Sequence, residues 1–205
     1  MISILPGYFI LAISAYLLGS VPMALILSAL LKRRDLRSVG SGNLSVYNTL
    51  FNVGKLPGVL TIAGHGALAA SAVMLARLLY PADEVALLIA IAAVTTGNMW
   101  QIFARFRGSR GSTILGWALL IAHPPLWASM TAVWLATLMV RRRTLTATRV
   151  LHAATPAVFG LVAWSWTWAI GGAVIAILLE LKCLRSTDDT LELGLFRRFG
   201  VNDPR

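Results

Sequence analysis

The feature that most constrains this chain is a succession of long apolar runs, each closed by a short stretch of charged, proline or glycine residues. About 20 apolar residues suffice to carry a helix across the hydrocarbon core of a bilayer. Of the 205 residues, 58% are apolar and 13% are charged, whereas a soluble domain carries roughly a quarter charged residues. The sequence therefore predicts an all-α integral membrane protein and excludes an ordinary soluble domain.

Prolines and polar turns divide the apolar runs into seven predicted membrane segments. The stretch from Ser112 to Val140 is cut in two at Pro124 and Pro125, since proline lacks the N–H that a continuing helix needs. Two segments, at residues 112–122 and 150–163, are short for a full crossing, so we expect them to be partial or tilted. Two of the other five segments cover residues 2–31 and 56–80. A third begins at Val85, a fourth ends at Val140 and the last ends at Leu181.

The basic residues collect in alternate loops. With the N-terminus outside, the loops at residues 32–55, 105–111 and 141–149 and the tail at residues 182–205 lie on one side, and they hold all but one of the 18 lysines and arginines. The exception is Arg77, which can extend from the end of its helix to the interface. Because basic loops stay on the cytoplasmic side of a membrane, we predict an outer N-terminus and a cytoplasmic tail.

The net charge of +10 is a value that also suits proteins that bind nucleic acid. Here the basic residues lie between apolar runs instead of on one polar domain, so we expect the lipid bilayer as the partner and no nucleic acid. We predict a single polytopic membrane domain, residues 1–205. The single cysteine, Cys183, rules out an internal disulfide, and no metal ion or other cofactor is expected.

The first inner loop carries residues suited to an anion. Ser41 stands between two glycines, which free the backbone to bring N–H groups and the hydroxyl toward a phosphate. Asn43 and Asn48 add amide donors, and Lys55 adds a positive charge. The plainer alternative is a flexible loop followed by a helix that is capped by Ser45 or Asn48.

The second inner loop, residues 105–112, leads directly into an apolar segment. A glycine turn at a helix start presents unpaired N–H groups and the positive end of the helix dipole, and guanidinium groups beside it suit a phosphate. The alternative is a set of arginines that only anchors the topology. Since both loops fall on the same side, we predict an anionic substrate taken at the cytoplasmic interface. The residues expected to contact its phosphate here are Arg107, Gly108, Ser109, Arg110 and Gly111.

The histidines of the apolar runs are interpreted as structural. His65 lies in the middle of a span, where a hydrogen bond to another helix is the expected role. His123 and His152 fall at opposite ends of the predicted topology, too far apart for a metal site or a catalytic pair.

These motifs make the chain similar to the bacterial acyl-phosphate:glycerol-3-phosphate acyltransferases, the PlsY family. The resemblance starts at residues 16–22, which match the family's Y-L-L-G-S-I-P, and continues at residues 40–48 with G-S-G-N-x-G-x-x-N and at Gly54-Lys55. The second family motif, L-G-H-x-F-P-x-F-x-x-F-x-G-G-K-G, is met by Gly97, Phe103, Phe106, Gly108 and Gly111, with Arg110 where lysine is usual.

The resemblance implies an enzyme of the bacterial inner membrane that makes lysophosphatidic acid for phospholipid synthesis. It would move a fatty acyl group from acyl phosphate to the 1-hydroxyl of glycerol 3-phosphate, with the acyl chain in a groove between the spans. Acyl phosphate already carries a good leaving group, so catalysis can rest on positioning and charge stabilisation. The implied catalytic residues are Ser41, Asn43 and Asn48, and the implied phosphate contacts are Lys55, Arg107 and residues 108–111.

Several motif positions carry other residues, and two further functions stay open on that account. A relative without catalysis would bind a lipid or a phosphate, and a small transporter would use a midplane site at Thr95, Thr96 and Asn98. The enzyme predicts polar residues at the inner face only, and their distribution favours it. The family's third motif, H-x-x-N-I, is missing from residues 182–189. The other departures are Ser45 for glycine, Phe51 for arginine, His65 and Leu68 for the mid-span D-x-x-K, Asn98 for histidine, Gln101 for proline and Ser109 for glycine.

Overall fold

The structure, a computed structural model, describes residues 4–142 and 144–184, so residues 185–205 of the predicted tail lie outside the described residues. Within the described ranges the chain forms nine α-helices and no strand, which confirms the predicted all-α class. Short 3₁₀ turns occur at Leu36–Ser38 and Ile102–Ala104. The α-helices are α1 (Ile4–Gly19), α2 (Met23–Lys32), α3 (Val46–Asn52), α4 (Lys55–Leu79), α5 (Glu84–Met99), α6 (Ser112–Ala122), α7 (Pro124–Arg141), α8 (Thr144–Ala163) and α9 (Trp166–Cys183).

Among the described residues, five helical stretches are long and apolar enough to cross a membrane, so the chain is a multi-pass membrane protein. The segment at residues 112–122, predicted to be short, is the 11-residue helix α6. Helix α7 has 18 residues but is not among the five. The five candidate spans are Leu5–Lys32, Lys55–Leu79, Glu84–Ala104, Leu145–Ala163 and Trp166–Cys183.

The prediction of a short segment at residues 150–163 is wrong, because α8 begins at Thr144 and is 20 residues long. Its polar first turns have partners on neighbouring helices. The Thr148 hydroxyl accepts a hydrogen bond from Trp134 Nε1 on α7 at 3.3 Å, and Arg149 Nε donates to Glu180 Oε1 on α9 at 2.7 Å. These contacts let the helix extend beyond the apolar run, and only residues 142 and 143 separate α7 from α8.

Helices α1 and α5 cross at a pair of glycines. A Cβ added to Gly19 would lie 2.0 Å from the Val94 carbonyl oxygen. A Cβ added to Gly97 would lie 2.2 Å from the Tyr16 carbonyl oxygen. The Tyr16 hydroxyl also donates to the Trp100 carbonyl oxygen at 2.7 Å. Small residues allow such close approach between membrane helices. Here the approach fixes the C-terminal end of α5, which the polar loop at residues 105–111 follows.

Replacing Gly97 with alanine is expected to lower the free energy of unfolding by about 1–3 kcal/mol, because the new methyl group meets backbone atoms that cannot rotate away. Gly116→Ala is the matched control, since the nearest atom to its Cβ would be Trp127 Nε1 at 4.0 Å. Thermal unfolding in detergent micelles should show a loss for the first variant and none for the second. Equal stabilities of the two variants would contradict the crossing geometry.

The other end of α5 is capped by Asp83. Its Oδ1 accepts from the Val85 and Ala86 N–H groups at 2.9 and 3.1 Å, and the Tyr8 hydroxyl on α1 donates to its Oδ2. The Tyr8 hydrogen bond, followed by the two backbone bonds, holds the pKa of Asp83 below its ordinary value of 3.8. The Asp83 carboxylate therefore joins α1 to the start of α5.

Stability is expected to fall in acid because of Asp83. Its pKa is lower in the folded than in the unfolded chain, so its contribution is complete above the ordinary value of 3.8 and is lost as the pH falls through the folded pKa. The side chain introduced by Asp83→Asn would still cap α5 but would not titrate. Unfolding temperatures measured from pH 5 to pH 3 should fall more steeply for the parent chain than for this variant, and parallel curves would refute the assignment.

Arg77, the basic residue expected away from the other charges, lies at this same end of the bundle. It is exposed, and its Nη2 donates to the carbonyl oxygens of Ile121 and Ala122 at 3.2 and 3.0 Å. Those carbonyls belong to the last turn of α6, where a cation satisfies unpaired acceptors and the negative end of the helix dipole. Arg77 thus fixes the C-terminal end of the short helix α6 against α4.

Candidate active site

The first polar loop, residues 32–55, and the second polar loop, residues 105–111, meet at the end of the bundle opposite Arg77, as the charge distribution predicts. They enclose a polar pocket of about 230 Å³, and helices α7 and α8 complete its wall. The pocket lies where α6 begins, so it adjoins the first-turn N–H groups of a helix. The residues that line this polar pocket are Ser45, Val46, Tyr47, Ser109, Arg110, Gly111, Ser112, Thr113, Trp134 and Thr148.

The second polar loop, residues 105–111, is fastened to the C-terminal end of α5. The Ser109 N–H donates to the Asn98 carbonyl oxygen at 3.1 Å, and the Ser109 hydroxyl donates to Asn98 Oδ1. The Gly111 N–H in turn donates to Ser109 Oγ at 3.0 Å. At Gly108 a Cβ would lie 2.3 Å from the Asn98 carbonyl oxygen, so a side chain has no room there. Asn98 therefore sets the position of the loop that begins α6.

Asn98 is itself bound to α4 through His65. Asn98 Nδ2 lies 3.3 Å from His65 Nε2, which confirms the predicted hydrogen bond between helices. Because Asn98 Oδ1 accepts from Ser109, the amide nitrogen is the donor and His65 Nε2 is the acceptor. Residues 65, 98 and 109 all depart from the family pattern, and together they form one buried chain of hydrogen bonds from α4 to the start of α6.

Replacing Asn98 with leucine is expected to cost about 2–4 kcal/mol of folding free energy, since it leaves His65 Nε2 buried without a donor and the Ser109 hydroxyl proton buried without an acceptor. Asn98→Asp should lose less, because the neutral carboxylic acid still accepts from the Ser109 hydroxyl and donates its O–H to His65 Nε2. Unfolding in micelles measures both variants. A leucine variant as stable as the parent would show that the chain of hydrogen bonds does not hold the loop.

The first polar loop is organised around Asn48, which is 2% exposed. Its Nδ2 donates to the carbonyl oxygens of Val39 at 2.9 Å and Asn43 at 3.0 Å, and its Oδ1 accepts from Asn52 Nδ2 at 2.9 Å. Ser45 is the residue that caps α3, since its Oγ accepts from the Asn48 N–H at 3.1 Å. The Asn48 side chain thus folds the loop back on itself and fixes Ser45 at the polar pocket.

The other predicted site residues differ in their surroundings. Ser41 Oγ is buried and has no hydrogen-bond partner in the described part of the chain. Asn43 is half-buried, and its carbonyl oxygen is held by Asn48. Lys55, at the start of α4, and Arg107 are exposed. These four residues and Asn48 do not line the polar pocket, whereas Ser109, Arg110 and Gly111 do.

The electrostatics of the polar pocket are dominated by Arg110. Among the described residues that line the pocket it alone carries a full positive charge, and it is half-buried. Arg107 instead lies near Asp35, which Arg37 contacts through an ion pair of 2.7 Å. The hydrogen bonds from Arg37 lower the pKa of Asp35 to about 2, so the carboxylate stays charged beside Arg107. The pocket therefore favours an anion at Arg110.

An apolar groove of about 390 Å³ adjoins the polar pocket and shares Ser112, Thr113 and Trp134 with it. The groove follows α6 from residue 112 to residue 120, a distance of about 12 Å at 1.5 Å rise per residue. Polar pocket and apolar groove together suit an amphiphile with an anionic head. The remaining residues of the groove are Ile62, Leu115, Gly116, Trp117, Leu119, Leu120, Trp127, Met130, Thr131, Leu151, His152 and Leu179.

Two further departures from the family pattern lie near these cavities or in the core. Phe51, at the arginine position, stacks on Tyr47 of the polar pocket with ring centroids 5.7 Å apart. Leu68 packs against the main apolar core. An aromatic contact therefore stands where the family has a cation, which increases the dependence of the polar pocket on Arg110.

From the sequence His152 is assigned a structural role, and its place at a cavity wall is not predicted. The structure places His152 on the groove wall, with its Nδ1 3.3 Å from Glu180 Oε2. Two signals could have found it. Arg149 and His152 are three residues apart and share a helix face, and Glu180 is the single acidic residue in the last apolar run.

Comparison with known proteins gives the following matches. The family profile described as "Glycerol-3-phosphate acyltransferase" matches residues 9–188. A relative of that name from Laribacter hongkongensis is 38% identical over 185 residues, which cover 87% of this chain and 89% of the relative. Another from Desulforudis audaxviator is 32% identical over 187 residues, which cover 90% of this chain and 92% of the relative.

Solved structures match the fold as well. The crystal structure of PlsY, an integral membrane glycerol 3-phosphate acyltransferase, in its glycerol 3-phosphate form gives a TM-score of 0.75 at 24% identity, covering 95% of this chain and 93% of that chain. The lysophosphatidic acid form of PlsY gives a TM-score of 0.75 at 23% identity, covering 92% and 99%. At these identities the likeness concerns the fold.

Proposed function

The chain belongs to the glycerol-3-phosphate acyltransferase family, and we propose that it moves a fatty acyl group from acyl phosphate to the 1-hydroxyl of glycerol 3-phosphate. The product would be lysophosphatidic acid, an intermediate of phospholipid synthesis. The observation that carries the proposal is the continuity of an Arg110-containing polar pocket with an apolar groove. Such a pair of cavities accommodates an anionic head and an acyl chain in one ligand.

In this proposal the start of α6 binds substrate phosphate. Its first-turn N–H groups and the positive end of its dipole favour an anion. Arg110 adds a guanidinium that can form two hydrogen bonds to phosphate oxygens. Residues 108–111 supply the backbone, and Arg107 and Lys55 supply exposed positive charge that attracts both substrates to this end of the bundle.

The first polar loop is assigned to the glycerol 3-phosphate side of the reaction. The Ser41 hydroxyl is a buried donor without a partner in the described ranges, which suits a hydrogen bond to substrate. Asn43 and Asn48 complete this set, with Asn48 Nδ2 holding the loop through its contacts with the Val39 and Asn43 carbonyl oxygens. Catalysis then consists of aligning the hydroxyl with the acyl carbon and stabilising negative charge at the leaving phosphate.

We place the enzyme in the bacterial inner membrane as one polytopic domain, residues 1–205. The N-terminus is outside, and the tail at residues 182–205 is cytoplasmic, because the loops that carry the basic residues and the polar pocket share one end of the bundle. Glycerol 3-phosphate would then enter from the cytoplasm, and acyl phosphate would enter from the bilayer along α6.

The test is purified protein in micelles, supplied with palmitoyl phosphate and glycerol 3-phosphate, with phosphate release and lysophosphatidic acid measured together. Equal amounts of the two products are expected. Binding of radiolabelled glycerol 3-phosphate without either product would instead identify a relative that binds phosphate without catalysis. Uptake of the label into proteoliposomes without product would identify a transporter.

A further inference from the structure

The wall of the apolar groove carries a glycine in the middle of α6. Gly116 lines the groove, and a Cβ added there would have Trp127 Nε1 as its nearest neighbour, at 4.0 Å. The glycines at the crossing of α1 and α5 differ, because a Cβ there would lie 2.0–2.2 Å from backbone oxygens. Helix packing therefore does not require a glycine at position 116, and a side chain placed there would project into the groove.

The residue beside Gly116 holds the groove wall in place. Trp117 also lines the groove, and its ring packs on α4 at Gly66, where an added Cβ would lie 3.1 Å from Trp117 Cε2. The ring cannot move farther toward α4 without closing this contact. A larger residue at position 116 would therefore fill the groove instead of pushing its wall back.

Helix α7 supplies the wall that faces Gly116. Trp134 belongs to both cavities, and Trp127, seven residues earlier on α7, lies about 10 Å farther from the polar pocket along the helix. The 4.0 Å distance places the Trp127 indole beside the Gly116 backbone. The indole and the glycine therefore bound the groove at the same level.

A position along α6 corresponds to a position along a bound acyl chain. Gly116 lies about 6 Å beyond Ser112, and Leu120 lies about 12 Å beyond it, at 1.5 Å rise per residue. Carbon–carbon bonds of about 1.5 Å advance an extended chain by about 1.3 Å each. With the carbonyl carbon at Ser112, Gly116 lies beside about the fifth carbon and Leu120 beside about the tenth.

We propose that Gly116 is a specificity-determining residue, whose lack of a side chain lets acyl chains longer than about five carbons pass Trp127 along the groove. This inference rests on the proposed function, which places the phosphate at Arg110 and the chain along α6. It assigns acyl phosphates of medium and long chain as the substrate class. Carbons beyond about the tenth lie past Leu120 and add little to recognition.

The groove selects by shape more than by hydrophobicity. An acyl chain enters it from a micelle or a bilayer, which is already apolar, so burial contributes little net free energy. A side chain at position 116 would instead displace the acyl chain and, with it, the reacting carbon. A misplacement of about 1 Å at the reacting centre can lower the rate about a hundredfold.

The experiment compares Gly116→Leu with the parent enzyme, using butyryl, octanoyl and palmitoyl phosphate at saturating glycerol 3-phosphate. The ratio of kcat/KM between variant and parent is taken at each chain length, so that partition of the substrate into micelles cancels. The expected loss is about threefold or less with butyryl phosphate and about a hundredfold with octanoyl phosphate. Palmitoyl phosphate should show the same loss as octanoyl phosphate, because both chains extend past position 116.

A second substitution tests whether Gly116 acts together with Trp127. Adding Trp127→Ala to Gly116→Leu removes the indole beside the new side chain, so activity with palmitoyl phosphate should recover at least about tenfold. Damage to α6 itself would not be repaired in this way. Gly116→Ala adds a single methyl group, and it should show the same dependence on chain length with a smaller loss. This variant keeps the inference testable where the leucine variant does not fold.

Ala128→Leu is the control, because Ala128 is exposed next to Trp127 and lines neither cavity. It should keep the parent kcat/KM at every chain length, and unfolding temperatures establish that each variant is folded. An equal loss in Gly116→Leu at all chain lengths, or no recovery in the double variant, would overturn this inference and leave the proposed function of an active parent intact. A folded parent that makes no product from any of the three acyl phosphates would overturn both.

Discussion

Replacing Arg110 with glutamine is expected to lower kcat/KM for acyl transfer by about a hundredfold to a thousandfold. Among the described residues that line the polar pocket, Arg110 is the one with a full positive charge. It lies just before the start of α6. Removing a guanidinium from a half-buried phosphate site costs a charge-assisted bidentate contact, and loss of one such transition-state contact is typically of this size. Phe51, at a position where the family has an arginine, offers no replacement charge.

Arg141→Gln provides the control for Arg110. Arg141 ends α7, is exposed and does not line the polar pocket, so its loss changes the net charge by the same amount without touching the site. The two variants are compared at low and at high salt. Equal losses of kcat/KM in the two variants would mean that Arg110 acts through general attraction of anions, which salt weakens for exposed charges. That result would contradict a direct phosphate contact.

Replacing Ser41 with alanine is expected to lower kcat/KM about tenfold to a hundredfold while leaving the unfolding temperature unchanged or slightly higher. The Ser41 hydroxyl is buried and makes no hydrogen bond within the described part of the chain, so its removal sacrifices no native contact. The activity falls because a hydrogen bond to a charged substrate group is lost.

Ser45→Ala separates an effect on activity from an effect on stability. The Ser45 hydroxyl caps α3 at 3.1 Å, so that variant should lose stability, about 1 kcal/mol. Activity and unfolding temperature are measured on both serine variants in the same micelles. A Ser41→Ala variant with parental kcat/KM would remove Ser41 from the site and leave the phosphate assignment at Arg110 intact.

Hydropathy and charge were sufficient to predict the helical membrane class, the break before α7 and the meeting of the two polar loops. The length of α8 was mispredicted because apolar content was used to measure it. Thr148 and Arg149 are polar, yet their partners on α7 and α9 keep them helical. Contacts of this kind depend on which helices become neighbours, and a single sequence carries little information on that.

The candidate site likewise combines features that follow from local sequence with features that depend on helix packing. Arg110, Ser109 and Gly111, which line the polar pocket, were predicted from the local pattern of a glycine turn before a helix, which is short-range information. His152 and Glu180 are separated by 28 residues and meet only because α8 and α9 pack together. Likewise, His65 and Asn98 were considered separately, but the chain of hydrogen bonds that joins His65 through Asn98 to Ser109 needed the packing of α4 against α5.

The shortness of α6 has a consequence for the depth at which the reaction takes place. Eleven residues span about 16 Å, roughly half of a 30 Å hydrocarbon core. Arg77 holds the far end of α6, so a bilayer with one boundary at Arg77 would place the near end, and the phosphate of the proposed function, below the headgroups of the other leaflet. The water-soluble substrate would descend to the lipid-borne one, and the product would pass sideways into that leaflet without crossing water.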